Sequence, residues 1–282
     1  MAASNPWSHV GSKDKTVAAW YTDPEWISKY ITPAQRDLLE NYAHIPPQDV
    51  ITHIQDIREK AWEIYPYPCI GCFRFIKLSM SQYTVYPTIL TRVKSGGYLL
   101  DVGCCLGQEL RKLVHDGAPA SNLYGLDTDQ GFLDLGFEFF RDKETSGIHF
   151  MVSDFLEKNE EVSKSVPKMD IVHLGLFLHL FDWDKQVEAC EKVIRLLKPE
   201  KGVLVIGQQM GMLEAREDMR GEKKIFAHNV ESFKRMWIEI GQKTQTEWNV
   251  KAQLDGELAP SEENGSWIPS DRRRLVFEVE LL

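Results

Sequence analysis

Long apolar runs are missing from this 282-residue chain. None approaches the roughly 18 residues that a membrane-spanning helix needs, so no span is expected. An excess of positive charge is missing too: 33 lysines and arginines face 42 aspartates and glutamates, for a formal net charge of -9. That balance excludes a general attraction to nucleic acid phosphates or anionic lipid and points to a small-molecule partner. Cysteine is scarce and odd in number, five in all at 69, 72, 104, 105 and 190. The opening "MAASNPWSHVGSKDK" has neither a charged n-region nor an apolar h-region. The thiols are therefore expected to be reduced, in a cytoplasmic protein, rather than paired in a disulfide framework. Cys69-Ile-Gly-Cys72 has the spacing of half a zinc site, but no second CxxC or close histidine pair follows, so no metal is expected.

What is present is a 43% hydrophobic composition, sufficient for one large domain or a domain with an appended cap. Residues 1–95 read as a helical cap. In "TPAQRDLLENYAHIPP", Thr32 is a candidate N-cap, Pro33 sits at the first helical position and Gln35 falls where a capping box places it; Leu38, Leu39 and Tyr42 continue one face. In "QDVITHIQDIREKAWEIYPYP", Val50, Ile51, Ile54, Ile57, Ala61 and Ile64 keep a helical period until Pro66 and Pro68 end it.

From Gly96 to residue 282 the pattern changes. Apolar runs at 98–102, 122–126, 148–152, 170–174 and 203–207 alternate with helical segments, the signature of βαβ units around a buried parallel sheet. In "DKQVEACEKVIRLLKPEKG", Val187, Cys190, Val193, Ile194 and Leu197 form a stripe stopped by Pro199 and Gly202. Two further strand-like runs, "TQTEWNVKAQL" and "DRRRLVFEVELL", flank the polar loop "DGELAPSEENGS" and are expected to pair as an antiparallel C-terminal hairpin at the sheet edge. The expected architecture is α/β and Rossmann-like: a mostly parallel seven-stranded sheet with the helical cap before it. The charged stretch "GMLEAREDMRGEKKIF" reads as a surface helix or mobile loop near the site mouth.

In such sheets ligands bind at the carboxyl ends of the strands, and here those ends are acidic. Asp101 lies at the end of the first strand, Asp127 and Thr128 follow the second in "YGLDTD", and Asp154 and Phe155 follow the third in "MVSDF". The loop "DVGCCLG" offers Gly103 and Gly107 for close backbone approach to a ligand ahead of a helix. It does not match the G-x-G-x-x-G of nicotinamide binders. A carboxylate after the second strand suits two ribose hydroxyls, and one after the third suits an exocyclic adenine amine with Phe155 against the purine. The competing structural role for each aspartate is a helix N-cap. His173 and His179, expected just after the fourth strand, are candidate bases or packing residues. Tyr65, Tyr83 and Arg74 are candidate substrate contacts, Arg74 as a carboxylate partner.

"LLDVGCCLG", "LYGLDTD", "MVSDF", "MDIVHLGLFLHLFDW" and "LLKPEKGVLVIGQQ", in this order, resemble the motifs of class I S-adenosylmethionine-dependent methyltransferases. The family usually has glycine where Cys105 stands. "FRFIKLSMSQYTVYP", "FLHLFDW", "HNVESFKRMW" and "WYTDPEWISKY" are similar to methyltransferases of fungal meroterpenoid pathways, such as those of andrastin, austinol and terretonin. The resemblance implies S-adenosylmethionine as cofactor, held at Asp101, Gly103, Gly107, Asp127, Thr128, Asp154, Phe155 and His173. It also implies carboxyl methylation of a farnesylated dimethylorsellinic acid, a prenylated polyketide acid, and a homodimer in which "WYTDPEWISKY" crosses between subunits. The alternatives are a phenol or enol O-methyltransferase using His173 or His179 as base, an NAD(P)-dependent oxidoreductase, and a non-catalytic cofactor-binding protein.

Overall fold

The computed structural model describes residues 11–157, 159–259, 261 and 268–282. The first ten residues of the segment examined for a leader, and most of the second half of the 255–266 loop, lie outside them. The capping box forms as expected: the Thr32 hydroxyl accepts the Gln35 N–H at 3.3 Å, and the Gln35 side chain accepts the Thr32 N–H at 2.8 Å. It opens α2, Pro33–Asp37, which follows α1, Trp26–Tyr30. The helix does not run on unbroken to Tyr42; residues Leu38–Tyr42 take a wider π-helical turn that still buries Leu38 and Leu39. Next come α3, Val50–Ile64, α4, Pro68–Gly71, and α5, Tyr86–Lys94. On α3 the expected stripe is inside, with Val50, Ile54, Ile57 and Ala61 buried.

The second part alternates as the apolar runs require: β1 Leu99–Val102, α6 Gln108–His115, β2 Leu123–Asp127, α7 Gln130–Phe140, β3 His149–Val152, α8 Asn159–Ser165, β4 Ile171–Gly175, α9 Trp183–Leu196 and β5 Leu204–Met212. Then follow β6 Arg216–Arg220, β7 Lys223–Ala227, α10 Val230–Thr244, β8 Trp248–Asp255 and β9 Arg272–Leu281. The main sheet has seven strands in the order β3-β2-β1-β4-β5-β9-β8. Its first five are parallel, while β9 runs antiparallel to both β5 and β8. The C-terminal hairpin is therefore present, with β9 inserted against β5 and β8 at the edge.

The charged stretch after β5 is neither a helix nor a loop. It is a β-hairpin, β6 with β7 in antiparallel register from Arg216↔Ala227 to Arg220↔Lys223. Gly221 at φ +63° begins its two-residue turn. Alternating charge suits a strand wet on both faces as well as it suits a surface helix.

One face of the sheet carries α9 and α10 over Leu100, Val102, Val172, Leu174 and Val205. The other packs α6 and the residues around α5 onto Leu99, Leu123, Ile171 and Ile206. A third apolar cluster belongs to the N-terminal helices and joins them to α7 through Phe132, Leu135, Phe139 and Phe140. Within it Arg58 is fully buried. Its guanidinium lies 4.2 Å from the Tyr21 ring and 4.3 Å from the Phe73 ring, and donates to the Thr22 carbonyl at 2.8 Å. Among the described residues, no helix is long and apolar enough to cross a membrane.

Candidate functional site at the carboxyl ends of the strands

Beyond Val102 the chain arches over the end of β2. The Gly103 and Cys104 N–H groups both donate to the Leu126 carbonyl, at 2.7 and 3.0 Å. Gly103, Cys105 and Gly107 all lie in the left-handed region, at φ +74°, +52° and +69°. Cys105 thus adopts a backbone conformation that glycine takes without strain, at a cost of about 1–2 kcal/mol. A Cβ on Gly103 would approach the Phe177 ring to 3.2 Å, and one on Gly136 of α7 would meet the Leu106 carbonyl oxygen at 2.5 Å. Side chains at these two positions would crowd the arch from either side.

Asp127 braces it. Its Oδ2 accepts the Cys105 N–H at 2.8 Å and its Oδ1 the Asp129 N–H at 3.2 Å. The N-cap of α7 is Asp129, accepting from Gly131, so Asp127 is not spent as a helix cap. Burial raises the Asp127 carboxyl above its ordinary value, against the hydrogen bonds it receives. The half-buried carboxylate sits at the carboxyl end of β2, as the strand pattern requires.

His173 lies inside β4 rather than after it. The sheet register sets it beside Asp101, and its Nδ1 is 2.7 Å from Asp101 Oδ1. Its Nε2 is buried without a hydrogen-bond partner among the described residues. The ring leans along the strand toward Gly175, where an added Cβ would touch Cε1 at 2.6 Å and Nε2 at 3.2 Å. Burial opposes a charge on this imidazole, but Asp101 and then Glu109 outweigh it and hold His173 above its usual value. Glu109 had no signal beyond its place at the edge of the α6 leucine stripe. It is 5% exposed, accepts the Ser79 N–H at 2.7 Å and the Met80 N–H at 3.2 Å, and burial pushes it up to about 7. The Tyr83 ring stands 6.1 Å from that of His173, its hydroxyl buried and unpartnered among the described residues.

Residues of the cap lie beside the arch, with Tyr67, Cys69 and Cys105 packed against one apolar cluster. Tyr65 and Tyr67 pack at 4.2 Å, and Tyr67 and Cys69 lie close enough to Cys105 to raise its thiol or be raised by it. Burial pushes Cys69 up to about 12 and Cys105 well above the thiol range, so neither is a nucleophile at neutral pH. Arg74 is half-buried and reaches Cys69 electrostatically. His179 is buried, with Arg220 Nη1 3.4 Å from its Nε2. Burial, and after it Arg220 and Arg272, hold this imidazole well below its usual range and therefore neutral.

The remaining expected residues are dispersed. Thr128 is exposed beside Asp127. Asp154 is exposed, and its Oδ1 caps a local turn by accepting the Leu156 and Glu157 N–H groups at 2.9 and 3.1 Å. Phe155 is 1% exposed in the α9 side of the core, its ring edge-on to Phe177 at 5.9 Å. The structure thus places Asp101, Gly103, Gly107, Asp127 and His173 on the neighbouring strands β1, β2 and β4 and the loop that follows β1. Arg220 and Glu109 were missed from the sequence. Among the described residues, no group of three His, Cys, Asp or Glu side chains is placed to hold a metal.

A family profile described as the meroterpenoid methyltransferase N-terminal domain matches residues 20–76, and a methyltransferase-domain profile matches residues 99–200. The chain is 41% identical to the O-methyltransferase phiE of Fungal sp. (strain ATCC 74256), with 95% of this chain and 96% of that one aligned. It is also 41% identical to the O-methyltransferase atr3 of Stereocaulon alpinum, over 97% of this chain and 75% of that one. To the asnovolin E/chermesin D methyltransferase nvfJ of Aspergillus novofumigatus it is 39% identical, over 77% and 79%. The glycine arch, the strand-end carboxylates and the orphaned His173 Nε2 fit an S-adenosylmethionine site, and the chain belongs to the S-adenosylmethionine-dependent meroterpenoid methyltransferases.

Proposed function

We propose that the protein methylates the carboxyl group of a farnesylated dimethylorsellinic acid, giving a methyl ester. The observation that carries this reading is the meroterpenoid N-terminal profile at residues 20–76, because the same segment packs Tyr67 and Cys69 beside Cys105 of the arch. Residues 1–95 then act as a cap over an apolar, prenylated acid, and residues 96–282 hold the cofactor. S-adenosylmethionine supplies an electrophilic methyl group on a sulfonium. Asp127 and the arch from Gly103 to Gly107 would hold its ribose and methionine portions, and Thr128, Asp154 and Phe155, on the chain beyond β2 and β3, would serve its adenine. Asp101 and His173 border the methionine end.

A carboxylic acid of ordinary pKa near ~4 is ionised at neutral pH, so the chain needs to align the oxygen rather than remove a proton. Incubation with S-adenosylmethionine and the acid, followed by mass spectrometry, should show a gain of one methylene that alkali removes. The decarboxylated analogue should stay unchanged. A second reading, phenol methylation, is favoured by the Asp101–His173 pair, whose Nε2 has no hydrogen-bond partner among the described residues and so keeps a lone pair for a phenol proton. Modification of the decarboxylated phenol, abolished in His173→Gln, would select it.

A further inference from the structure

We infer that Arg220, at the turn of the β6–β7 hairpin and positioned by His179 beneath it, grips the carboxylate of the acid substrate. This rests on the carboxyl-methylation reading above and adds the group that recognises the acid. The hairpin is fixed to the loop after β4 by the Phe226 N–H, which donates to the Phe181 carbonyl at 2.9 Å. That anchoring sets Arg220 Nη1 3.4 Å from His179 Nε2. A guanidinium only donates, so Nε2 is the acceptor and the imidazole proton sits on Nδ1. That Nδ1 is buried and makes no hydrogen bond among the described residues. The two ring nitrogens face opposite ways, so His179 positions Arg220 through Nε2 and does not itself reach the anion that Arg220 meets.

Its neighbours place it at the cofactor mouth. Arg220 is electrostatically coupled to Cys69, Tyr67 and Tyr65 of the cap, and Tyr67 and Cys69 in turn adjoin Cys105 of the arch. Arg272 is close enough to His179 to disfavour its charge, with Asp218 and Asp271 in turn close to Arg272. A guanidinium matches a carboxylate in shape, as an ammonium does not. With one carboxylate oxygen on Arg220, the other is left to react. Its lone pair forms the O–C bond as the C–S bond breaks, the bonding pair stays on sulfur, and no proton moves.

The test compares wild type, Arg220→Gln and Arg220→Lys with farnesylated dimethylorsellinic acid and with its decarboxylated analogue, using calorimetry with S-adenosylhomocysteine as a check on the folded cofactor site. Arg220→Gln should raise KM for the acid about 100-fold and change kcat less than tenfold, with S-adenosylhomocysteine affinity within twofold of wild type. Arg220→Lys should recover part of the loss. Wild-type turnover of the acid with an unchanged KM in Arg220→Gln overturns this assignment alone. Turnover of the decarboxylated analogue in place of the acid overturns the carboxyl reading and this assignment with it.

Discussion

Asp101 and His173 are register neighbours on β1 and β4, joined at 2.7 Å with only 4% and 3% of their side chains exposed. The pairing raises the imidazole pKa against the effect of burial. Stability from this pair is present at pH below the ordinary histidine value and is lost as pH rises through the elevated one. In Asp101→Asn the His173 ring should titrate at lower pH, followed through its carbon-bound proton by NMR. The variant should lose roughly 3 kcal/mol, chiefly on the acid side. An unmoved His173 titration would show that Asp101 does not set the charge.

Glu109 gives a second pH signature of its own. Its carboxyl rises from 4.5 to about 7, mainly through burial. The folded chain therefore holds a proton that the unfolded chain releases, and up to roughly 3 kcal/mol of stability disappears as pH climbs from about 4.5 to about 7. Glu109→Gln keeps an acceptor for the Ser79 and Met80 N–H groups and removes the titration. Urea midpoints measured between pH 5 and 8 should then vary less in the variant than in wild type, and parallel curves would refute the assignment.

Cys105 holds a left-handed backbone at φ +52°. Glycine relieves that strain but forfeits the packing of the thiol against the cap, so Cys105→Gly should stay within about 1 kcal/mol of wild type. A β-branched side chain tolerates this region poorly, and Cys105→Val should lose about 2 kcal/mol or more by thermal denaturation. Equal melting temperatures for the two variants would count against a strained arch.

Arg111 and Asp142 form a bidentate pair, Nε to Oδ2 at 2.7 Å and Nη2 to Oδ1 at 2.9 Å, with the Tyr42 hydroxyl donating to the same carboxylate at 2.8 Å. Only 1% and 5% of the two side chains is exposed. Removing one partner strands a buried charge, so Arg111→Met or Asp142→Asn should each cost about 3–5 kcal/mol, and the double variant less than their sum. Additive losses in chemical denaturation would mean the pair is not coupled.

The helix starts and most strand positions followed from local chemistry, because the Thr32–Gln35 box and the apolar runs are decided by neighbours within a few residues. The acidic strand ends could be located the same way. The β6–β7 hairpin could not, since both its faces carry charge and only Ile225 and Ala227 are fully buried; the Gly221–Glu222 pair was its one local signal. His173 was expected after the fourth strand, although the apolar run at 170–174 already contains it, and the structure sets it in the middle of β4. Glu109 and Arg220 act through partners 30 and 41 residues away, Ser79 and His179, a range at which periodicity carries no information.

The place of β9 has a kinetic side. Residues 272–281 are the last strand of the main sheet to leave the ribosome, yet they fill an interior position, pairing along nearly the whole length of β5. Until they arrive, β5 presents an open edge of unsatisfied N–H and C=O groups beside an already formed β4, a template for pairing with another nascent chain. Completion of this sheet is thus a late, long-range event, and substitutions that slow the docking of β9 should reduce soluble yield before they reduce the stability of the finished protein.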